Sequence, residues 1–411
     1  MSQFKTLASP DRWPSPYGRL ETGLARGLIK AGNLLLAILA AIRWPVRPRR
    51  PTRIGVFRVG NIGDVLVAVP ALAALRDRFP GAEITLISSP GKRGLPGAQE
   101  LLEEGPLVDK LTIYHAEDIQ SIRGRLHLVK LLRARRFDAL FVLPPEMTSF
   151  SAELRNLGAL ACVGARWARG FSVNNGRNLP LGLSGAYFQS EERAPEWRRL
   201  LSVVVDGEQV TSEFALDLDV GLHVDDPIKA NVDRVLAASP LGGRPLLSIS
   251  PGAQLEHKKW SPRQFGEVAK AWIAAGGTVC GLGGPGDHPI VDEVSAAAGG
   301  GVLNLCGSTT LLESAEVLRR STALVANDTG TMHLCATVGT PVVAVFSGSN
   351  REGIWAPWIG APSVSLRESV GCSPCFHAPC PHQVPCLSRI RSEQVITALQ
   401  SLGVWPGRSL P

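Results

Sequence analysis

Aromatic side chains are scarce in this chain, 6% of 411 residues, and no RNA- or DNA-reading motif occurs. Both absences argue against a nucleic-acid partner. Long apolar runs are also missing. The longest, residues 34–42, is nine residues, too short to span a bilayer and too far from Met1 for an ordinary signal peptide. A Gly-x-Ser-x-Gly elbow and a His-Glu-x-x-His pair are both absent, which argues against a hydrolase of the elbow type and a zincin. With no secretory signal, the expected location is the cytoplasm and the expected state of the thiols is reduced.

The chain is 45% hydrophobic and 19% charged, long enough for two or three domains. Its net charge of +7 and pI near 9.1 favour anionic partners: phosphates, acidic glycans or an anionic membrane face. Residues 1–51 differ from the rest and are expected to be an extension. Leu20, Leu24, Leu28, Ala31, Leu35, Ile38 and Ile42 recur at helical steps, and Arg43, Arg47, Arg49, Arg50 and Arg53 follow. An amphipathic helix ending in a basic cluster suits peripheral binding to an anionic membrane surface, or packing on the protein itself.

Strands then alternate with helices, twice. Arg53–Val59, Glu83–Ile87 and Ala139–Leu143 read as strands, with helices at 65–79 (Pro70 a kink or second start) and 126–136. A helix at 227–240 precedes a restart at Leu246–Ser250, followed by strands at 278–282 and 324–326 and helices at 262–275, 289–298 and 311–320. The expected fold is α/β with two doubly wound parallel sheets, one in residues 52–226 and one in 240–390, facing a cleft, and a C-terminal helix and tail in 391–411.

Four strand ends carry candidate chemistry. Asp64 and Gly63 follow the first strand; Asp64 reads as a helix cap or as a general base. Gly252, Lys258, Lys259 and Trp260 follow the first strand of the second half. The lysines could hold phosphate, or belong to a solvated loop. Gly281, Gly283 and Gly286 meet a loose G-x-G-x-x-G spacing, but no acid about 20 residues on marks a NAD site, and Asp287 suits a ribose or a helix cap. The segment Asn327, Asp328, Thr329, Gly330, Thr331, Met332, His333 lies between a strand and a helix-like run at 333–339, a placement suited to a diphosphate and its sugar. Cys162, Cys280, Cys306 and Cys335 read as small buried thiols. Cys372, Cys375, Cys380 and Cys386 have a spacing open to zinc or iron–sulfur binding, but unlike paired Cys-x2-Cys knuckles.

These stations together resemble glycosyltransferase family 9, the ADP-heptose:lipopolysaccharide heptosyltransferases. The stretches that carry the likeness are residues 58–65 with Pro70, Ala71 and Leu72; Pro251-Gly252-Ala253 with Lys258-Lys259-Trp260; Gly283-Gly284-Pro285; and 327–334. The resemblance implies a GT-B fold and an inverting transfer from a nucleotide-sugar donor, ADP-heptose, to an acidic glycolipid of the lipopolysaccharide core. It implies no cofactor and no metal. Asp64 matches the base, Lys258 the partner of the leaving phosphate, and Asp328 the residue at the donor sugar and diphosphate. Thr329 and Gly330 would offer N–H groups to the phosphates, with Thr331 and His333 in the same loop, and Asp287 matches approximately an acid at the ribose. The N-terminal extension lies outside the family core, and Trp260-Ser261-Pro262 departs from the family's Lys-x-Trp-Pro. A GT-B transferase using another nucleotide sugar, or a non-catalytic sugar-nucleotide binder, remain the competing expectations.

Overall fold

A computed structural model describes residues 19–103, 105–146, 148–172, 195–205, 210–211, 214–215, 218, 222, 224–237, 243–349, 353–373 and 380–407, with side chains from residue 27. The chain divides into two compact units, which meet near residue 220 in sequence.

The first unit is built on a five-stranded parallel sheet, in the order β3-β2-β1-β4-β5. Its strands are β1 (Arg53–Val59), β2 (Glu83–Ser89), β3 (Lys110–Ile113), β4 (Ala139–Val142) and β5 (Ala168–Arg169). Its helices are α1 (Arg19–Arg43), α2 (Ile62–Leu66), α3 (Val69–Arg78), α4 (Gln99–Leu102), α5 (Ile122–Ala134), α6 (Phe150–Val163) and α7 (Glu196–Val204). Pro70 marks a second start rather than a kink: it sits in the first turn of α3, where its missing N–H costs nothing.

Right-handed crossovers fix which helices share a face. The sheet runs outward from β1 to β3 through α3 and α4, then returns past β1 through α5 and continues through α6. α3 and α4 therefore cover one face, and α5 and α6 the other. α7 packs on α3, α5 on α6, and α1 on α6.

The N-terminal helix thus packs on its own protein. Leu36 and Trp44 are buried, Trp44 Nε1 donates to the Ala165 carbonyl at 3.0 Å, and its ring stacks on Phe171. The other row of the same helix faces outward: Leu34, Leu35, Ile38 and Ile42 are exposed. No helix among the described residues is long and apolar enough to cross a membrane. The side chains of Leu20 and Leu24 lie outside the described residues.

The second unit carries a six-stranded parallel sheet, β11-β10-β9-β6-β7-β8. Its strands are β6 (Leu246–Ser250), β7 (Thr278–Gly281), β8 (Val302–Asn304), β9 (Ala323–Asn327), β10 (Val342–Phe346) and β11 (Ser363–Arg367). Its helices are α8 (Asp226–Ala237), α9 (Pro262–Ala274), α10 (His288–Ala298), α11 (Leu311–Arg320), α12 (Gly330–Thr337), α13 (Pro385–Ser388) and α14 (Ser392–Ser401). One core joins β6, β7, β9 and β10 to α9 and α14 around Trp260, Phe265 and Trp272. Cys386 lies in that core, and Cys280, Cys306 and Cys335 are buried as expected; Cys162, expected to be buried, is exposed on α6.

Both sheets reverse direction at one point, β1/β4 in the first and β6/β9 in the second. In open α/β sheets, the carboxyl ends of the strands at such a reversal are the usual ligand position. Asp64 follows β1. Gly252 follows β6, and Asp328 follows β9.

Candidate active site

In the first unit the chain leaves β1 at Arg58-Val59 and turns into α2. Asp64 is the third residue of that helix, not its cap residue. Its Oδ2 reaches back to accept from the Asn61 N–H at 3.1 Å, and its Oδ1 accepts from Arg58 Nη2 at 3.1 Å. The carboxylate keeps 27% of its side-chain exposure, so it is held and still open to solvent. Gly60 makes room for it. Its φ is +147°, and a Cβ there would fall 2.3 Å from the Asp64 Cβ, so only glycine fits. Gly63 precedes Asp64 within the same short helix.

Arg58 is fully buried on the α3/α7 face of β1. Its guanidinium donates to the Asp64 carbonyl at 2.9 Å and the Pro144 carbonyl at 2.9 Å, and lies 3.9 Å from Glu196. Glu196 is itself gripped by Arg199 through two hydrogen bonds of 2.5 and 2.8 Å. Burial pulls the Arg58 pKa below its ordinary value, and the Asp64 and Glu196 carboxylates oppose that pull. A buried guanidinium is tolerated because its donors are all engaged with charged or carbonyl oxygens. The result is a chain of charges, Arg199–Glu196–Arg58–Asp64, that fixes the carboxylate from behind.

In the second unit the loops after β6 and β9 are tied by Asn327, which is fully buried. Its Oδ1 accepts from the Trp260 N–H at 3.1 Å, and its Nδ2 donates to the Pro251 carbonyl at 2.7 Å. Trp260 is core: 1% exposed, with Nε1 donating to the Ile390 carbonyl at 3.0 Å. Of the two lysines before it, Lys259 pairs outward with Glu256, whereas Lys258 turns inward and places Nζ 2.5 Å from Asp328 Oδ2. The Lys258 and Asp328 side chains keep 19% and 8% exposure.

α12 starts at Gly330, three residues earlier than the helix-like run suggested, because Thr329 already has the extended backbone of a cap. Thr329 makes no side-chain cap bond, and its Oγ1 is buried without a partner. The N–H groups of Gly330, Thr331 and Met332 open the helix, so they have no intrahelical acceptor and carry the positive end of its dipole. His333 lies within that first turn, 4% exposed and edge-on to Trp355 at 5.8 Å. Burial holds its pKa down at about 4; Asp328 opposes the depression and Lys258 adds to it. At neutral pH the imidazole is therefore uncharged.

Asp287 closes the short turn 285–287, accepting the Gly284 N–H at 2.9 Å. A Cβ on Gly252 would lie 2.3 Å from Asp287 Oδ1, so the backbone after β6 rests directly against this carboxylate. Lys258, Asp328, Thr329, Gly330, Thr331 and His333 thus gather at the β6/β9 reversal, with Gly252 and Asp287 in mutual contact after β6 and β7. Asp64 and Gly63 stand at the reversal of the other sheet. Among the described residues no group of three or more His, Cys, Asp or Glu is placed to hold a metal ion. Cys372 and Cys380 are half-buried, and Cys375 lies outside the described residues.

A family model described as "Glycosyltransferase family 9 (heptosyltransferase)" matches residues 125–384. The chain belongs to glycosyltransferase family 9. Individual family 9 relatives are distant but align over long stretches. The lipopolysaccharide heptosyltransferase 2 of Escherichia coli K12 is 24% identical over 316 residues, 71% of this chain and 81% of that protein. A solved family 9 glycosyl transferase from Veillonella parvula superposes with a TM-score of 0.67 at 22% identity, covering 85% of this chain and 97% of the other. The E. coli ADP-heptose heptosyltransferase II gives 0.62 at 23%, covering 85% and 98%. At these identities the structures speak to the fold, which is GT-B with two parallel-sheet α/β domains.

Sequence reasoning gave no role to the residues that hold Asp64 and the loops after β6 and β9 in place. Arg58 carries a weak signal: it shares strand parity with Ile54 and Val56, so a charged side chain falls on an otherwise apolar face. Glu196 and Arg199 stand one helical turn apart but 138 and 141 residues from Arg58, and nothing local ties them to it. Asn327 was visible only as part of its motif.

Proposed function

We propose that the protein is an inverting heptosyltransferase that moves the sugar of ADP-heptose to a hydroxyl of a lipopolysaccharide core acceptor. The acceptor oxygen attacks the anomeric carbon from the face opposite the diphosphate. Its proton passes to Asp64, and the bond to the diphosphate breaks with its electron pair leaving on ADP. Asp64 suits the base because it is paired with Arg58, oriented by two hydrogen bonds, and still solvent-accessible. Lys258 and the first N–H groups of α12 meet the charge that develops on the leaving phosphate. Asp328 holds Lys258 in place and accepts from hydroxyls of the donor sugar, and Asp287 takes the ribose. The uncharged His333 keeps a second cation out of the pocket. With Lys258 and a helix terminus supplying the positive charge, the reading needs no divalent metal and no cofactor.

The observation that carries this reading is the Lys258–Asp328 pair at the N-terminus of α12. The relatives' names add the donor, and the net charge of +7 suits an acidic glycolipid. The same reading puts the enzyme at the cytoplasmic face of the inner membrane, with the amphipathic α1 in peripheral contact. Transfer from ADP-heptose to heptose-deficient core acceptor, followed by mass spectrometry with EDTA present, tests it. Asp64→Ala lowers turnover roughly 10²–10⁴-fold and Lys258→Ala roughly 10²–10³-fold. Full activity of Asp64→Ala, or stabilisation by UDP-sugars but not by ADP-heptose, overturns it.

A further inference from the structure

Exposed apolar side chains are not scattered over this protein. Eleven large ones are exposed among the described residues, and nine of them belong to one stretch of surface. Leu34, Leu35, Ile38 and Ile42 lie on α1 with Val46 just beyond it; Leu154 lies on α6; Ile122, Leu126 and Leu131 lie on α5. These three helices are consecutive neighbours in one layer, α5 on α6 and α6 on α1. α5 and α6 cover the face of the first sheet opposite α3 and α7, and α1 packs beside α6, where it also lines a cavity with Arg199, Ser202 and Val203 of α7.

Charge is concentrated on the same layer. Residues 27–50, 122–136 and 150–163 contain twelve Lys and Arg and one carboxylate, Glu153, which is fully buried. That is a surplus of eleven positive charges, against +7 for the whole chain. Lys30, Arg49, Arg50, Arg123, Lys130 and Arg133 are exposed, and none forms a salt bridge with a described carboxylate. On the layer's outer side the basic residues stand among aliphatic ones, as in Ile122-Arg123 and Arg125-Leu126 on α5, and Ile42-Arg43 at the end of α1.

We propose that the outer side of the α1–α6–α5 layer is a docking surface for an anionic lipid bilayer, the aliphatic side chains entering the acyl boundary and the basic ones resting on acidic headgroups. Mixed aliphatic and cationic side chains on one face match that boundary chemically. A second copy of the chain would bring two such positive faces together, which disfavours self-association. A nucleic acid would find phosphate partners but only aliphatic side chains where stacking rings are needed. Docking also deepens the peripheral reading of α1. It enlarges the contact from one helix to three, and it does not depend on which sugar the enzyme transfers.

The test is co-sedimentation of the full chain with phosphatidylcholine vesicles, with and without phosphatidylglycerol. Three variants are used: Ile38→Glu with Ile42→Glu on α1, Ile122→Glu with Leu126→Glu on α5, and Arg123→Ser with Lys130→Ser on α5. All six positions are exposed, and unchanged thermal melting and circular dichroism verify the folds. The expected result is binding to the anionic vesicles, weakened by salt, and little to the neutral ones. Each glutamate pair lowers binding, the serine pair lowers affinity roughly 25-fold, about fivefold per charge removed, and Leu255→Glu on the other unit leaves it unchanged. Wild-type binding by both α5 variants would confine the contact to α1 and overturn the three-helix surface. Equal binding to neutral vesicles, or a dimer in sedimentation velocity that Ile42→Glu dissolves while no vesicle binds, would overturn it altogether. Loss of heptose transfer on a soluble acceptor would bear on the reaction, not on this surface.

Discussion

Replacing Arg58 with Met is the sharpest probe of how the Asp64 carboxylate is held. The substitution keeps the length and apolar stem but removes every donor of a fully buried guanidinium. It leaves Asp64 without its 3.1 Å partner and the Leu143 carbonyl without a side-chain donor; the Pro144 carbonyl keeps Arg199 at 2.5 Å. Breaking a buried ion pair from one side costs about 3–5 kcal/mol. Two features move the expectation to the lower end: Asp64 retains 27% exposure, and Glu196 keeps Arg199. A loss of about 3 kcal/mol in a unit of this size lowers the melting temperature by roughly 6–12 °C. Scanning calorimetry of wild type, Arg58→Met, Asp64→Asn and the double variant measures it. The double variant removes the stranded charge, so its loss is smaller than the sum of the single losses, by about 0.5–3 kcal/mol. Strict additivity, or a fall of Arg58→Met within the scatter of the melting curve, would refute the charge chain.

Asn327→Ala strands the buried Trp260 N–H and Pro251 carbonyl and costs about 2–4 kcal/mol in chemical denaturation. Asn327→Asp costs more, since it sets a buried carboxylate against that carbonyl, and a milder effect of Asp than of Ala would sink the assignment. Glu153 is buried with Oε2 unpartnered, and burial raises its pKa to about 7, above the ordinary 4.5. The folded state then binds the proton more tightly, and stability falls as pH rises from 4.5 through 7. Glu153→Gln should therefore melt higher than wild type at pH 8 and equally at pH 4, and the opposite order would count against it. His333 works in the other direction. With its folded pKa near 4 and an ordinary value of 6.5, the unfolded chain takes up the proton first as pH falls. About 3 kcal/mol is lost between those values, and His333→Gln flattens the melting temperature across that window; an unchanged slope would show the ring titrating normally.

Most of the two sheets was legible in the sequence because their central strands are largely buried on both faces and read as short apolar runs bounded by turn residues. Arg53–Val59, Leu246–Ser250 and Thr278–Gly281 are such strands. The edge strands were not. Lys110–Ile113 buries only Thr112, and Ser363–Arg367 buries none of its residues, so neither carries enough apolar content to stand out. The site divided along a similar line. Asp64, Lys258 and Asp328 lie just beyond strand ends, in segments whose glycines, prolines and charges announce the turn. Glu196 and Asn327 act through contacts across 138 and 67–76 residues, and such partners have no local signature.

Asn327 has a consequence for how the second unit evolves and moves. One amide joins the segment after β6, the turn bearing Lys258, and the segment bearing Asp328. None of the three can shift alone without stranding a buried polar group in the other two. They therefore behave as one cassette. An exchange of donor preference by swapping a single loop is blocked at this residue, whereas transplanting all three loops together with Asn327 carries the anchoring intact.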